Sequence, residues 1–397
     1  MSLSLADLRQ RPNALARFYT RFRVADRLLF TGHSHQAWPD RAEEGPLRAF
    51  EDAARLVDEK WSRAFHQAAR VRQAFARLLG DDGGDTITLG ASTHELILRF
   101  LSALPLAKRP KLLTSDGEYH TLRRQLARLE EEGIEVQRES AADPSTLAAR
   151  LAARVDDRTA AVLVSTVLFR SGRRVPGLAE LARAAAKVGA ELLVDVYHQL
   201  NVIPCDLGQD GLASAFVVGG GYKYCQLGEG NCFLRIPPGR DLRPIVTGWY
   251  AEFGDIAAPT PEQVGYGRGA EAFAGATYDP TSHYRAAEVF DFFRDQDLDP
   301  PFLREVSQYQ VGLLASAFDA LDLDPRQISR PPVPLAELGG FLALETPHAE
   351  KIHQALKPRG VLTDYRGDSL RFGPAPYHHD GQIEAAMAHL GEVVQDL

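Results

Sequence analysis

The residues with the clearest chemical potential lie in the middle of the chain. Asp195 ends an apolar run, His198 follows it, and Lys223 comes later within the run Gly219-Gly-Gly-Tyr-Lys-Tyr224. A carboxylate at the end of an apolar run is costly unless it is paired. Three glycines allow the backbone to turn tightly and to approach a ligand closely. A lysine held in such a place can be desolvated, which lowers its pKa and makes the amine a nucleophile for carbonyl groups.

This pairing of a lysine with a carboxylate matches the requirement of one cofactor. Pyridoxal 5'-phosphate (PLP) needs a lysine for a Schiff base and a carboxylate that keeps its pyridinium nitrogen protonated. Taken singly, Asp195 could cap a loop and Lys223 could be a surface lysine. Taken together and in this order, the two residues predict a PLP site.

A candidate phosphate site lies earlier in the chain, in the run Gly90-Ala-Ser-Thr-His-Glu95. Ser92 and Glu95 have the spacing of a capping box, so we expect the apolar run that follows to begin a helix there. The free N–H groups and the positive end of that helix would face an anion, and the hydroxyls of Ser92 and Thr93 could join them. The alternative is a simple helix cap with no ligand.

Short apolar runs that alternate with helical patterns predict the elements that position these residues. We expect strands at 111–115, 134–138, 161–166, 191–195, 215–219 and 231–236, and helices at 118–132 and 178–188. The order strand, helix, strand implies a parallel sheet that helices cover on both faces. Ligands of such sheets bind outside the carboxyl ends of the strands, where Asp195 is expected.

These patterns divide the chain into three parts. Residues 66–285 form a large α/β domain, and residues 286–397 form a small α+β C-terminal domain. In the small domain we expect helices at 286–321, 348–357 and 382–397, with strands at 340–345, 360–364 and 369–372. Residues 1–65 are largely helical and too few for a core of their own, so they should pack on both domains.

The composition excludes several classes of protein. The 397 residues are 45% hydrophobic and 25% charged, with a formal net charge of −8. A mildly acidic chain argues against a nucleic-acid or anionic-membrane partner. No apolar run approaches the roughly 20 residues that a bilayer span needs, and the N-terminus lacks the layout of a secretory signal. Three cysteines fit neither a disulfide framework nor a zinc pattern, so we expect a soluble cytoplasmic protein without a metal site.

Several segments of the chain resemble kynureninase, a fold-type-I PLP enzyme of the class-V aminotransferase superfamily. They are Asp195-Val-Tyr-His198, Ile203-Pro-Cys-Asp-Leu207, Val217-Val-Gly-Gly-Gly-Tyr-Lys-Tyr224, Gly228-Glu-Gly230, Thr247-Gly-Trp-Tyr250, Gly360-Val-Leu-Thr-Asp-Tyr-Arg366 and Leu370-Arg-Phe-Gly-Pro-Ala-Pro-Tyr377. The resemblance runs from about residue 25 to the C-terminus. It implies a large domain with a mainly parallel sheet between helices, a small C-terminal domain, and a homodimer with its active sites at the interface.

The resemblance also implies roles for individual residues. Lys223 forms the Schiff base and moves protons, Asp195 pairs the pyridinium nitrogen, and Tyr222 is an acid/base partner. The other implied cofactor contacts are His198 beside the ring, Ser92, Thr93 and Tyr222 at the phosphate, Tyr119 over the ring, Ser165 at the ring hydroxyl, and Trp249 and Thr277 at a phosphate across the dimer interface. Tyr119 could equally be a core tyrosine, and Ser165 could equally be a buried serine of a strand.

Substrate-side residues follow the family less closely. The resemblance implies that Arg371 binds the α-carboxylate of the substrate, for which a forked guanidinium is suited, and Arg366 is a second candidate. The alternative for Arg371 is an exposed arginine on an edge strand. His33 and His35 stand where the family has Gly-Asn-Ser-Leu-Gly, and they either set a different specificity or are solvated loop residues. Leu122 replaces an aspartate of the family.

The function that this pattern predicts is hydrolytic cleavage of the Cβ–Cγ bond of kynurenine or a related γ-keto amino acid, with release of alanine. The cofactor machinery follows the family while the substrate side departs from it, which leaves other reactions open. These are a class-V-type aminotransferase, an enzyme similar to cysteine desulfurases and lyases, and a PLP-fold relative that binds a ligand without catalysis.

Overall fold

Twelve strands and eleven α-helices build the part of the chain that the computed structural model describes, namely residues 3–81, 83–255 and 263–397. The strands are β1 (Leu28–Leu29), β2 (Ile87–Gly90), β3 (Lys111–Ser115), β4 (Glu135–Glu139), β5 (Thr159–Ser165), β6 (Glu191–Asp195), β7 (Phe216–Gly220), β8 (Cys232–Arg235), β9 (Leu342–Glu345), β10 (Val361–Leu362), β11 (Asp364–Arg366) and β12 (Ser369–Phe372). The helices are α1 (Leu5–Arg9), α2 (Glu44–Leu56), α3 (Lys60–Leu78), α4 (Thr93–Ala103), α5 (His120–Glu131), α6 (Leu147–Arg154), α7 (Leu178–Val188), α8 (Thr281–Asp295), α9 (Pro300–Asp319), α10 (Ala349–Leu356) and α11 (Asp380–Gln395).

A seven-stranded sheet in the order β2-β8-β7-β6-β5-β3-β4 forms the centre of the large part of the molecule. Strands β3 to β7 pair in parallel, while β8 runs antiparallel to both β7 and β2. The register places Ser165 beside Asp195, and Asp195 beside Val218. The predicted α/β architecture with a mainly parallel sheet is therefore confirmed, and the carboxyl ends of β5 and β6 carry two predicted site residues.

Helices cover this sheet on both faces, which explains why its central strands are apolar throughout. All seven residues of β5 are buried. Val162 and Val164 belong to the hydrophobic core on one face, and Ala161 and Leu163 belong to the core on the other. Successive side chains of a strand point to opposite faces, so a strand buried on both faces has no polar alternation.

A second, smaller sheet of three antiparallel strands, in the order β11-β12-β9, packs with α9, α10 and α11 around its own core. This is the predicted small α+β part. The N-terminal segment reaches both cores, since Tyr19 packs in the core of the large sheet and Phe30 in that of the small one. The parallel pairing of β1 with β10 ties the segment to the C-terminal part. The domain boundaries at 65/66 and 285/286 stay a prediction.

Several elements differ from the sequence prediction. The helical stretch predicted at 286–321 is two helices, because the backbone at Asp297 is left-handed, with a φ of 53°. Asp299 is the N-cap of the second helix, and its side chain accepts the backbone N–H of Phe302. The strand predicted at 360–364 is split between β10 and β11. Strands β1 and β2 were not predicted, since two and four residues are too few to show a period. Across the described ranges, no helix is long and apolar enough to cross a membrane.

Candidate active site

Lys223 lies in the loop after β7, and its side chain is buried rather than on the surface. Its Nζ is 2.7 Å from Nε2 of His198 and 4.7 Å from the centre of the Tyr197 ring. Tyr119 and Tyr222 place their rings at 5.7 and 5.8 Å from the same atom. Burial lowers the pKa of Lys223 to about 7, although the negative charge of Asp195 acts to raise it. A large share of the amine is therefore unprotonated near neutral pH and able to attack a carbonyl.

The glycines before Lys223 are required by close packing. A Cβ on Gly220 would lie 2.4 Å from the hydroxyl oxygen of Tyr197, and one on Gly221 would lie 2.3 Å from Cδ1 of Leu227. Neither distance leaves room for a side chain. The glycines thus allow the loop to fold back against Tyr197 and direct the lysine into the site.

Asp195 ends β6 and faces the same site as Lys223, since each side chain shifts the pKa of the other. Its Oδ1 accepts the backbone N–H of Tyr197 at 2.8 Å, so the residue does cap the following loop. Burial raises the pKa of Asp195, while that hydrogen bond and the Lys223 amine act in the opposite direction. Loop capping and a role toward a ligand are therefore compatible, because a second carboxylate oxygen is left over.

Glu118 is a site residue that sequence reasoning missed. It lies in the loop between β3 and α5, and its buried carboxyl group accepts the hydroxyls of Ser115 at 2.6 Å and Ser165 at 2.5 Å. Burial raises the pKa of Glu118 to about 7, and the neighbouring Asp195 adds to the rise. Within the described ranges, Glu118 forms no ion pair with a basic side chain. The sequence signal was only a glutamate beside Tyr119, with nothing to show that it points inward.

The predicted helix start is confirmed at α4. Ser92 is the N-cap, and its Oγ accepts the backbone N–H of Glu95 at 3.3 Å. The Glu95 carboxylate accepts the N–H of Ala91 at 3.1 Å, one residue before the position that a capping box would use. The backbone of Thr93 lies beside the Cys232 thiol, which is itself 3.7 Å from the hydroxyl of Tyr197. The Cys232 thiol therefore lies between the N-terminus of α4 and the Tyr197 ring that contacts Lys223.

Ser165 and Tyr119 both lie at the site, on different elements. The Ser165 hydroxyl at the end of β5 donates to Glu118, and its backbone neighbour in the sheet is Asp195. Tyr119 is half-exposed and faces the Lys223 amine, with the ring of Phe169 packed edge-on at 5.4 Å. Tyr119 is thus not a core residue.

Arg371 lies on β12, the central strand of the small sheet, and it is buried. The alternative of an exposed edge-strand arginine is therefore excluded. Its Nε donates to Oδ1 of Asp364 at 2.7 Å, and its Nη2 donates to Oδ2 at 2.6 Å. Its Nη1 donates to the backbone carbonyl of Phe169. Arg366 is half-exposed and lies 3.6 Å from the same Asp364 carboxylate. The antiparallel pairing of β11 with β12 therefore brings both predicted arginines to one acid.

The two loop histidines have opposite surroundings. His33 is fully buried, with Nε2 2.9 Å from Oδ1 of Asp364, so it is not a solvated residue. Burial lowers the pKa of His33 to about 4. His35 is exposed, and its ring stacks on that of Tyr222 with centres 4.7 Å apart and an angle of 19°. His35 thus contacts the predicted residue Tyr222, and His33 shares Asp364 with the predicted residue Arg371.

Phe341, which precedes β9, was not predicted and connects the two parts of the site. Its ring centre is 4.6 Å from that of His33, 5.7 Å from that of His198, and 5.7 Å from the Arg371 guanidinium carbon. His198 in turn contacts Lys223. Phe341 and His198 therefore link the arginine of the small sheet to the amine of the large one.

Trp249 and Thr277 lie together on another surface of the chain. Trp249 is exposed and packs against Tyr250 and Phe253, while Thr277 is exposed and hydrogen-bonds to Tyr250. Across the described ranges, no hydrogen bond, ion pair or ring contact joins either residue to Lys223. The contacts of a single chain do not bring these two predicted residues into the site.

A cleft of about 820 Å³ opens between the loops of the large sheet and the small sheet. Gly117, Arg170 and Ser369 are among its lining residues. Gly117 precedes Glu118, Arg170 follows Phe169, and Ser369 is two positions before Arg371. Lys223 itself does not line the cleft. The candidate site is therefore defined by the groups around the amine, and the cleft lies beside it.

The residues around Lys223 fit PLP. A buried amine of lowered pKa, a partly buried carboxylate at the end of the neighbouring strand, three tyrosine rings and a helix N-terminus with a serine cap lie together. The loop glycines leave backbone, not side chains, on one side of the amine. Across the described ranges, no group of three or more histidine, cysteine or acidic residues could hold a metal ion.

Comparison with known proteins agrees with the geometry. Residues 303–390 match the model of the kynureninase C-terminal domain. A kynureninase of Deinococcus radiodurans is 28% identical over 398 residues, which cover 94% of this chain and 91% of that protein. A kynureninase of Xanthomonas campestris pv. campestris is 28% identical over 384 residues, which cover 89% of this chain and 88% of that protein.

The solved structures with the same fold are more distant in sequence. A C-DES variant with glycine covalently linked to its PLP cofactor has a TM-score of 0.82 at 18% identity, over 95% of this chain and 98% of its own. The cysteine desulfurase CsdA of Escherichia coli has a TM-score of 0.79 at 16% identity, over the whole of both chains. At such low identity these likenesses establish the fold alone.

Proposed function

Because this chain is kynureninase-like and has the fold of fold-type-I PLP enzymes, we propose that it binds PLP at Lys223 and hydrolyses the Cβ–Cγ bond of kynurenine or a related γ-keto amino acid, releasing alanine. One observation carries this proposal. The buried Lys223 amine faces the Asp195 carboxylate at the carboxyl ends of the parallel strands, where open α/β sheets bind their ligands.

PLP, when bound, supplies an electron sink for a carbanion at the α-carbon of the substrate. Asp195 would hold a proton at the ring nitrogen. The lowered pKa of Lys223 allows its amine to take a proton from carbon and to return it near neutral pH. Ser92 and Thr93, at the N-terminus of α4, would hold the phosphate.

Tyr222 is proposed as the second acid/base group. Burial raises the pKa of Tyr222 well above its ordinary value, so the phenol keeps its proton and can donate it. The ring of His35 stacks on that of Tyr222 and limits its rotation. Such a positioned proton donor contributes about 10²–10⁴-fold to a rate.

A C–S lyase acting on a cysteine derivative, or an aminotransferase, is the second candidate function. The fold is compatible with this alternative, since C-DES and a cysteine desulfurase share it. A desulfurase that carries sulfur on a cysteine is disfavoured, since the three cysteines are all buried and burial raises the pKa of each thiol. A non-catalytic binding protein is disfavoured because Lys223 and Asp195 are both present and face each other.

We also propose a homodimer. Helix α2 exposes Leu47 and Phe50, and Val57 directly after it is also exposed. The other exposed apolar side chains include Ile245, Val246, Trp249, Phe253 and Val264. Clusters of this kind on a soluble surface mark contact sites for a partner. In such a dimer Trp249 and Thr277 would reach the phosphate of the partner subunit, which accounts for their distance from Lys223 within one chain.

The test is reconstitution with PLP followed by product analysis. Borohydride reduction should fix the cofactor on Lys223, as detected by mass spectrometry of peptides, and Lys223→Ala should abolish the fixation while exposed Lys187→Ala retains it. Incubation with kynurenine and 3-hydroxykynurenine should release the corresponding anthranilate and alanine. Fixation without cleavage of either compound would move the assignment to the lyase or aminotransferase. Stoichiometric conversion of the cofactor absorbance by an amino acid would identify the aminotransferase.

A further inference from the structure

The protein uses only some of the hydrogen-bond donors of the buried Arg371 side chain. A guanidinium has five N–H donors. The side of the group formed by Nε and Nη2 is occupied by the two oxygens of Asp364, and one N–H of Nη1 is occupied by the Phe169 carbonyl. One N–H therefore remains on each terminal nitrogen. Two N–H donors, one on each terminal nitrogen, are what a two-point contact with a ligand carboxylate requires.

The group is also prevented from turning. Arg371 and His33 are both buried, and the Oδ1 atom of Asp364 accepts from both. Burial raises the pKa of Asp364, but the His33 hydrogen bond and the Arg371 charge outweigh it and hold that pKa far below its ordinary value. Asp364 is thus ionised, and neutral His33 must donate from Nε2. Asp364, held in turn by His33, and the Phe169 carbonyl therefore fix one orientation of the guanidinium.

Arg371 is paired with a carboxylate before any ligand enters. Asp364 also lies 3.6 Å from Arg366, and His33 is uncharged, so two arginines share one acid and the site keeps a positive charge that suits an anionic ligand. An unpaired buried charge would be strongly destabilising, so the pair allows Arg371 to remain in place in the empty site. A ligand then meets an arginine that is already oriented, and it does not have to order a mobile one.

The oriented guanidinium lies near the amine that binds the cofactor. Phe341 contacts His33, His198 and Arg371, and His198 lies 2.7 Å from the Lys223 amine. The charges of Arg371 and Asp364 both act on the pKa of Lys223, in opposite directions. In an α-amino acid the carboxylate and the amine are bonded to the same carbon. A carboxylate site this near to the lysine therefore suits that class of substrate.

We propose that Asp364 and His33 are positioning residues that hold the Arg371 guanidinium for the α-carboxylate of the substrate. The proposal deepens the proposed function and rests on its amino-acid substrate, but not on which bond of that substrate is cleaved. It assigns His33, a departure from the family's sequence, to the support of carboxylate binding instead of to contact with the substrate side chain.

The experiment measures binding, not turnover. The PLP-loaded dimer is titrated with L-alanine and with L-alaninamide, which lacks the carboxylate, and the change in cofactor absorbance gives a dissociation constant for each. The ratio of the two constants is the carboxylate preference. We expect Asp364→Asn to reduce this preference at least tenfold, and His33→Ala to reduce it about threefold. His33→Gln, whose amide N–H can still donate to Asp364, should restore most of the loss.

A matched control is available on the surface. Asp319 pairs with Arg330 through the same two guanidinium nitrogens, on helix α9. Asp319→Asn should leave the preference unchanged. A folded Asp364→Asn protein with the full carboxylate preference would overturn the proposal. Equal carboxylate preferences for His33→Ala and His33→Gln would also overturn it. If Asp364→Asn does not fold, the two His33 variants decide the question. A failure to cleave kynurenine leaves this measurement valid, because alanine binding does not depend on that reaction.

Discussion

Replacing Glu118 by glutamine should change how the stability of the protein depends on pH. Glu118 is buried between two serine hydroxyls and beside Asp195, with no basic partner in the part of the chain that the structure describes. Its ionised form is therefore disfavoured in the folded state, and burial raises its pKa from 4.5 to about 7. Glutamine keeps the shape and the hydrogen-bonding capacity but cannot ionise.

The magnitude follows from the two pKa values. Between them the folded state binds a proton that the unfolded state has released, so the free energy of unfolding falls as pH rises. Each pKa unit corresponds to about 1.36 kcal/mol. For a rise from 4.5 to about 7, the loss between pH 5 and pH 8 is about 2.5 kcal/mol in the native sequence. Glu118→Gln should lack this contribution.

The assay is urea unfolding of PLP-free protein at pH 5 and at pH 8, for the native sequence and for Glu118→Gln. The difference in unfolding free energy between the two proteins should shift by about 2.5 kcal/mol in favour of the variant at pH 8. Glu305→Gln, an exposed substitution of the same kind on α9, should show no such shift. Infrared difference spectra should show the loss of one carboxylic acid band with a midpoint near pH 7 in the native protein only. Parallel stability curves for native protein and variant would refute the reasoning.

Three further outcomes are expected. The rate at which PLP-free protein captures PLP, followed by stopped-flow absorbance, should rise about tenfold from pH 6 to pH 8, because the pKa of Lys223 is lowered to about 7; a flat profile would contradict this. Phe341→Ala should lower the free energy of unfolding by roughly 3–5 kcal/mol, against a much smaller change for the partly exposed Leu335→Ala; equal changes would deny Phe341 its packing role. Phe50→Glu should convert dimers to monomers in analytical ultracentrifugation while neighbouring Glu51→Gln should not; a persistent dimer would exclude α2 from the interface.

Local patterns were sufficient for most of the elements around the site. The strands β3 and β6 and the helix α7 have the bounds that the sequence predicts, and α4 begins after Ser92 as its capping pattern indicates. Each of these signals involves residues a few positions apart, so it is readable without knowing the fold. The short strands β1 and β2 gave no such signal.

The partners of the site residues could not be read in this way. Glu118 meets Ser165, 47 positions away, because β3 and β5 are neighbours in the sheet. His33 meets Asp364, 331 positions away, because β1 pairs with β10. The sequence contains these residues but does not show which strands pair.

The order of residues is enough to identify the reactive groups, namely an amine after three glycines, a carboxylate at the end of an apolar strand, a capped helix and an arginine in an apolar strand. The charge and orientation of those groups depend on the folded chain. Burial brings the pKa of Lys223 and of Glu118 close to neutral, and Asp364 fixes Arg371. Desolvation and pairing depend on atoms brought close by strand order and packing, which local patterns in a sequence do not record.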